Sequence, residues 1–207
     1  MNRKSTLQGI DVSHWAGRID FEQVKADGIR IVYIKATQGT DYIDPDFERN
    51  YRDADKAGLA IGFYHYVMAR SENEARAEAR YFAAHIRDKK QHVRPAMDFE
   101  VFGELTTAEV RVISEEFLTT LEEETRQVPV LYSDSSNAST RFDDDRFRRY
   151  PLWIADYDVF RPDMENPWKH WSGWQYTDRG RVRGISGFVD RDHFRRDILI
   201  DPRLHQC

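Results

Sequence analysis

The octapeptide PAMDFEVF, residues 95–102, sets two carboxylates, Asp98 and Glu100, two positions apart among apolar neighbours. In extended backbone, side chains alternate between faces and each residue advances about 3.3 Å. The two acids therefore share a face roughly 6.6 Å apart along the chain, with Ala96 beside them and Met97 and Phe99 opposite. Carboxyls held this close and partly shielded from water repel each other and separate their pKa values. A general acid/base pair has that requirement.

Acids end other apolar runs as well. Asp11 ends LQGIDVS, and Asp190 and Asp192 end ISGFVDRD. A lone strand-end aspartate often does no more than cap a loop by bonding nearby backbone amides, but five acids converging on one opening indicate a site. Lys35 in IVYIKAT shares a face with Tyr33 and Thr37 and projects toward the same carboxylates, offsetting part of their repulsion; an ordinary surface lysine is the alternative. Aromatic residues fall on the same runs: Tyr64 and Tyr66 in GFYHYV, Tyr132 ending VPVLYS, Trp153 and Tyr157 in LWIADY, Trp174 and Tyr176 in GWQYT. Core packing is the alternative for each of them, and for Trp153 above all. Rings with a polar tip suit a surface that is apolar on one side and wet on the other, and pyranose rings offer flat C–H faces to stack on. A carbohydrate cleft accounts for both the acids and the rings.

Eight short apolar runs of strand length must position these residues: the runs already named, together with the one ending in DFE. Helical signals separate the early ones. DPDFERNYRDADKAG carries Asp44 as N-cap, Pro45 at the first helical position and Gly58 as the stop. SENEARAEARYFAAHIR opens on a capping box, Ser71 to Glu74, and a second box, Thr106 to Glu109, precedes VRVISEEFLTTLEEE, whose Val110, Ile113, Phe117 and Leu121 recur at helical spacing. Strands alternating with helices imply right-handed βαβ units and a mostly parallel sheet. From about Trp153 the helical signals fade, so the pattern predicts an α/β modified TIM-type barrel closed by strands with few helices. In such barrels reactive groups gather at the C-terminal ends of the strands. An open doubly wound sheet is the alternative, although DVSHWAGRI is not the Gly-rich phosphate turn it would bring.

The 207 residues read as one domain, with its core at about 8–194 and no repeat or linker introducing a wall-binding module. A net charge of −5 without a basic stripe argues against nucleic acid as a partner. No apolar run reaches the roughly 18 residues that span a bilayer, and no secretory signal is visible at the start. The one cysteine, Cys207, excludes an intramolecular disulfide framework and a cysteine-based zinc cluster. No His-Glu-x-x-His pair is present, so no metal or cofactor is expected, and the chain is expected to act as a monomer.

GIDVSHWAGRIDF, YIKATQGTDYIDPDF, AGLAIGFYHY, PAMDFE, PVLYS, LWIADYD, WQYT and GFVDRDHF occur in the order found in glycoside hydrolase family 25, and from Gln8 to about Phe194 the chain resembles its Chalaropsis-type lysozymes. The resemblance implies five β/α units followed by three further strands. It also implies a retaining muramidase that cleaves peptidoglycan glycan strands between N-acetylmuramic acid and N-acetylglucosamine, acting on the cell wall after secretion or release by lysis. Glu100 matches the family's general acid/base, Asp98 its neighbouring carboxylate, and Asp11 and Asp190 the flanking acids. Two positions depart: many members have Glu at Gln38 and Asn at Asp192. A metal-dependent polysaccharide-modifying enzyme, with DFE and DRD as oxygen ligands, and an inactive glycan-binding protein are the alternatives.

Overall fold

The computed structural model describes residues 6–165 and 167–201, which leaves Cys207 outside the described residues. Strands β1 (Leu7–Val12), β2 (Ile31–Gln38), β4 (Ala60–Tyr66), β5 (Ala96–Asp98), β6 (Val130–Asp134), β7 (Leu152–Ala155), β8 (Gly173–Gly180) and β9 (Val189–Phe194) form a closed barrel, and a two-residue strand, β3 (Tyr42–Ile43), lies antiparallel along the end of β2. Neighbours from β1 through β8 are parallel, whereas β9 runs antiparallel to both β8 and β1 and closes the ring.

Helices α1 (Phe21–Ala26), α2 (Phe47–Ala57), α3 (Glu72–Ile86), α4 (Thr107–Thr125) and α5 (Ser135–Thr140) follow β1, β2/β3, β4, β5 and β6 in turn. These are five β/α units, and the three last strands have no α-helix among the described residues between them, as the fading helical pattern predicts. No helix of the described residues is long and apolar enough to cross a membrane.

The capping chemistry is close to that read from the sequence, with two differences. Thr106 and Glu109 form the reciprocal box. Ser71 caps α3, but Glu74 reaches back to the backbone N–H of Arg70 rather than to that of Ser71. At α2 the N-cap is Asp46 and not Asp44, so Pro45 precedes the helix and Phe47 is its first residue. The Asp44 carboxylate is buried and taken up elsewhere: Oδ1 accepts from the Asp46 backbone, while Oδ2 accepts from the His14 backbone and bonds the His14 ring at 2.7 Å. A buried charge is stable only when its lone pairs are filled, and the β1–α1 loop offers more donors than the helix end.

Alternation along each strand separates two apolar layers. Ile10, Val12, Val32, Ile34, Ile61, Phe63, Met97, Leu131 and Ile154 face the helices, where Val24, Ala54, Phe82 and Phe117 cover them. Ile31, Tyr33, Ala96, Val130, Tyr132, Trp153 and Phe194 fill the barrel, with Val93, Ile198 and Leu199 plugging its lower end. The Tyr33 and Trp153 rings stack at 4.6 Å, and Phe194 and Tyr132 meet Trp153 edge-on at 5.6 and 4.8 Å.

Glycine makes room for these rings. A Cβ on Gly173 would stand 2.7 Å from Trp153 and 2.8 Å from Phe194, and one on Gly9 would stand 2.3 Å from Phe194. A methyl group there overpacks a filled interior, which costs about 1–3 kcal/mol. Gly173→Ala is accordingly expected to lower Tm by roughly 2–10 °C at this chain length in a calorimetric scan.

Candidate active site

The upper end of the barrel opens into a cleft of about 390 Å³ lined by Asp11, Ser13, Trp15, Lys35, Tyr64, Tyr66, Asp98, Glu100, Tyr132, Trp153, Tyr157, Gln175 and Asp190. That volume lies in the range of small-molecule sites. Asp11 is the fifth residue of β1 and pairs directly with Asp190 of β9. Because β9 runs downward, Asp190 stands at the start of its strand rather than at the end suggested by the run ISGFVDRD, and only an antiparallel closure brings it to the same rim. β5 is likewise shorter than PAMDFEVF suggests. It stops at Asp98, and Glu100 sits one residue beyond Phe99 in the loop, exposed at the mouth of the cleft. Phe99 turns outward and packs edge-on against Phe102 at 4.9 Å, which anchors that loop.

These acids are held in conditions that favour the proton. Burial raises the Asp98 carboxyl well above the usual range, the Glu100 charge adds to the effect, and Lys35 partly opposes it. Asp98 Oδ1 is buried without a hydrogen-bond partner. Glu100 reaches solvent at the mouth yet has enough protein around it for desolvation to be the first cause of an upward shift; the charges of Asp134 and Asp190 add to it, while the Tyr132 hydroxyl and Lys35 pull the other way. Asp190 rises to about 6, mainly through desolvation, and its hydrogen bond with Asp11 restrains the rise. Asp11 is raised by burial and by the charges of Asp190 and Asp192, against a hydrogen bond donated by Gln175 at 2.8 Å.

Lys35 is half-buried; its ammonium donates to Gln38 Oε1 at 2.8 Å and lies 4.7 Å above the Tyr66 ring. It does not share its face with Thr37. The β2/β4 register slips between Lys35 and Thr37, and Thr37 turns to the helix side, where its hydroxyl bonds the buried His65. His65 packs against Phe82 and Phe117 and is held from its other nitrogen by Glu78.

Of the predicted aromatic residues, Tyr64, Tyr66, Tyr132, Trp153 and Tyr157 line the cleft, whereas Trp174 does not. Trp174 faces outward from β8 against Trp171, Tyr176 and His193, and its indole donates to the Asp156 carbonyl. The inward residue of GWQYT is Gln175, which the search for rings passed over. Its Oε1 accepts from the Tyr132 and Tyr157 hydroxyls and its Nε2 donates to Asp11, so a single amide fixes two phenols and one carboxylate. Ser13, Trp15 and Asp134 are further residues of the site that sequence reasoning missed. Alternation marks Gln175 as inward once Gly173 is placed inside, but no periodicity marks a loop residue such as Trp15.

The family model for glycosyl hydrolases family 25 matches residues 10–185. This chain belongs to glycoside hydrolase family 25. The family 25 chain is 35% identical over 203 residues to Lysozyme M1 of Streptomyces globisporus, spanning 92% of this chain and 68% of that protein. Its fold superposes on the bacterial lysozyme from Streptomyces coelicolor with a TM-score of 0.81 at 33% identity, covering 92% of each chain. The muramidase from Acremonium alcalophilum gives 0.78 at 30% identity over 91% of this chain and 93% of that one. The α/β barrel is thus the fold that this family 25 enzyme shares with those two structures.

Beneath Asp11 and Asp190 this enzyme buries a third aspartate, Asp192. It is fully buried; Oδ1 accepts from the Trp153 indole at 2.9 Å, and Oδ2 has no partner. Burial drives its pKa well up, the hydrogen bonds from Trp153 and Asp11 lower it, and Asp190 raises it further. A raised folded-state pKa means that the folded form holds the proton more tightly than the unfolded form; stability is then fullest below the ordinary carboxylate value and declines as pH rises toward the folded value. Asp192→Asn keeps the acceptor for Trp153 and removes the charge. It is expected to stabilise the fold by roughly 1–3 kcal/mol at pH 7 and by progressively less toward pH 4, as read from denaturant midpoints across that range.

Proposed function

We propose that this family 25 lysozyme hydrolyses the β-1,4 bond between N-acetylmuramic acid and N-acetylglucosamine in peptidoglycan with retention, using Glu100 as the general acid/base and Asp98 as the charge-bearing partner. The convergence of Asp98, Glu100, Asp11 and Asp190 on one ring-lined cleft carries the reading. A polar-tipped aromatic wall beside a carboxylate pair suits a glycan strand better than a phosphate or a peptide.

The charges in the cleft support a division of labour. Lys35 acts more strongly on Asp98 than on Glu100 and so offsets part of the burial that holds the proton on Asp98, while Asp134 and Asp190 favour keeping the proton on Glu100. Glu100 gives that proton to the glycosidic oxygen as the bond to the anomeric carbon breaks. Asp98 then either attacks the anomeric carbon or orients the substrate's own 2-acetamido group to do so. The buried Asp98 carboxyl suits the second course, because an oxygen there can accept the acetamido N–H. In that course the acetamido carbonyl oxygen bonds to the anomeric carbon, forming a cyclic oxazolinium, and Asp98 stabilises its positive charge. Water then opens the ring from the face the leaving group vacated, giving its proton to Glu100, and two inversions leave net retention. Asp11, Asp190 and Gln175 hold the surrounding shell, and Tyr64, Tyr66, Tyr132, Trp153 and Tyr157 form the walls. Activity on the cell wall by a single catalytic unit, outside the membrane, follows from this reading.

Glu100→Gln is expected to lose roughly 10²–10⁴-fold or more in turnover of purified peptidoglycan, and Asp98→Asn to be severely impaired; near-normal release of reducing sugar from either would remove that residue from its role. Mass spectrometry of the products should find N-acetylmuramic acid at the reducing end. The pH profile should be a bell on the acidic side of neutrality. Its two limbs belong to the coupled Asp98 and Glu100 pair as a whole, and burial displaces both upward from the ordinary carboxylate range. A flat profile there would contradict the pair.

A further inference from the structure

Trp15 is 85% exposed, whereas Trp153, Trp168, Trp171 and Trp174 are each buried. An exposed indole forfeits the large apolar burial that makes tryptophan useful to a core. It stands in a short 3-10 turn, His14–Ala16, at the rim of the cleft that holds the carboxylates.

The turn is braced from below. Asp44, buried at the foot of α2, accepts from the His14 backbone at 3.1 Å and from the His14 ring at 2.7 Å. The Tyr42 hydroxyl lies 3.4 Å from the same ring nitrogen. The His14 ring in turn lies 4.5 Å from that of Trp15, and the Ser13 hydroxyl accepts from the Trp15 backbone. A buried carboxyl group, an imidazole and a side-chain cap thus present one bare aromatic face at the mouth of the cleft.

We propose that Trp15 is a stacking platform for a pyranose ring of the substrate next to the bond that is cut, and that it contributes to substrate affinity rather than to the chemical step. The occupant is a sugar because the platform shares one cavity with Glu100 and Asp98, and an extended glycan leaving that cavity must cross its rim. The inference rests on the lysozyme reading. It goes beyond the assignments made above in giving Trp15, named there only as a lining residue, a sugar to stack on and a share of the affinity.

The test uses an oligosaccharide of alternating N-acetylglucosamine and N-acetylmuramic acid as probe, with the full chain. In a Glu100→Gln background, which holds the glycan uncut, saturating oligosaccharide is expected to shield Trp15 from acrylamide quenching; Trp15→Phe should lose that signal while still binding. Trp15→Ala should weaken binding by calorimetry roughly 3- to 10-fold, the range set by aromatic stacking. In the otherwise unaltered enzyme it should raise KM by a similar factor with kcat within about twofold. Unchanged KM and unchanged quenching would overturn the platform, as would shielding of Trp15 by raised protein concentration alone, which would assign the face to a second copy of the chain. Hydrolysis by the unaltered enzyme is scored separately. If it fails, the lysozyme reading falls and the platform with it; if it proceeds while Trp15→Ala behaves as the parent, only the platform falls.

Discussion

Everything at the open end of this barrel follows from crowding carboxylates with little to neutralise them. Asp11, Asp98 and Asp192 are buried, Asp190 adjoins Asp11, and Lys35 is the one cationic side chain among the described residues that line the cleft. Charge in such a place is costly to desolvate and costly to gather, and the group can avoid both costs by keeping a proton. The site therefore retains protons at a pH where solvent carboxyls have lost theirs. A glycosidic oxygen is a poor leaving group until it receives one, so in the reaction we propose the electrostatic strain and the chemistry have the same origin.

The barrel makes that crowding tolerable by giving it a rigid base. Tyr33, Trp153, Phe194 and Tyr132 fill the interior immediately below the acids, and Gly9 and Gly173 clear the space those rings need. Two polar tips rise from this apolar floor: the Trp153 indole to Asp192 and the Tyr132 hydroxyl to Gln175. The Gln175 amide then reaches Asp11. Packing and charge placement are one system here, joined through the Trp153 and Tyr132 rings.

Much of this was legible in the sequence. All eight barrel strands, the three longer helices and the loss of helices after Trp153 were set by runs of alternation and by caps, which are local signals. The acids could be found because carboxylates among apolar residues are conspicuous. What escaped depended on neighbours distant in the chain. Asp44 left the helix cap that its position suggests because His14, thirty residues earlier, offered donors. Thr37 left the face of Lys35 through a slip in register, which no periodicity shows. Trp174 and Gln175 exchanged expected roles because strand composition marks aromatics without saying which of two faces points inward. Asp190 was placed at the right rim for an incomplete reason, since the sequence does not reveal that β9 runs the other way.

That reversed last strand also determines how the chain enters and leaves the barrel. β1 rises from Leu7 to the cleft, and β9 descends from the cleft to Phe194, opposite Leu7, before Ile198 and Leu199 seal the lower end. Both terminal strands thus have their free ends on the side remote from the carboxylates. A tag, surface tether or fused module joined near either point would hang beneath the barrel, leaving the path of a long polymer through the upper groove unobstructed.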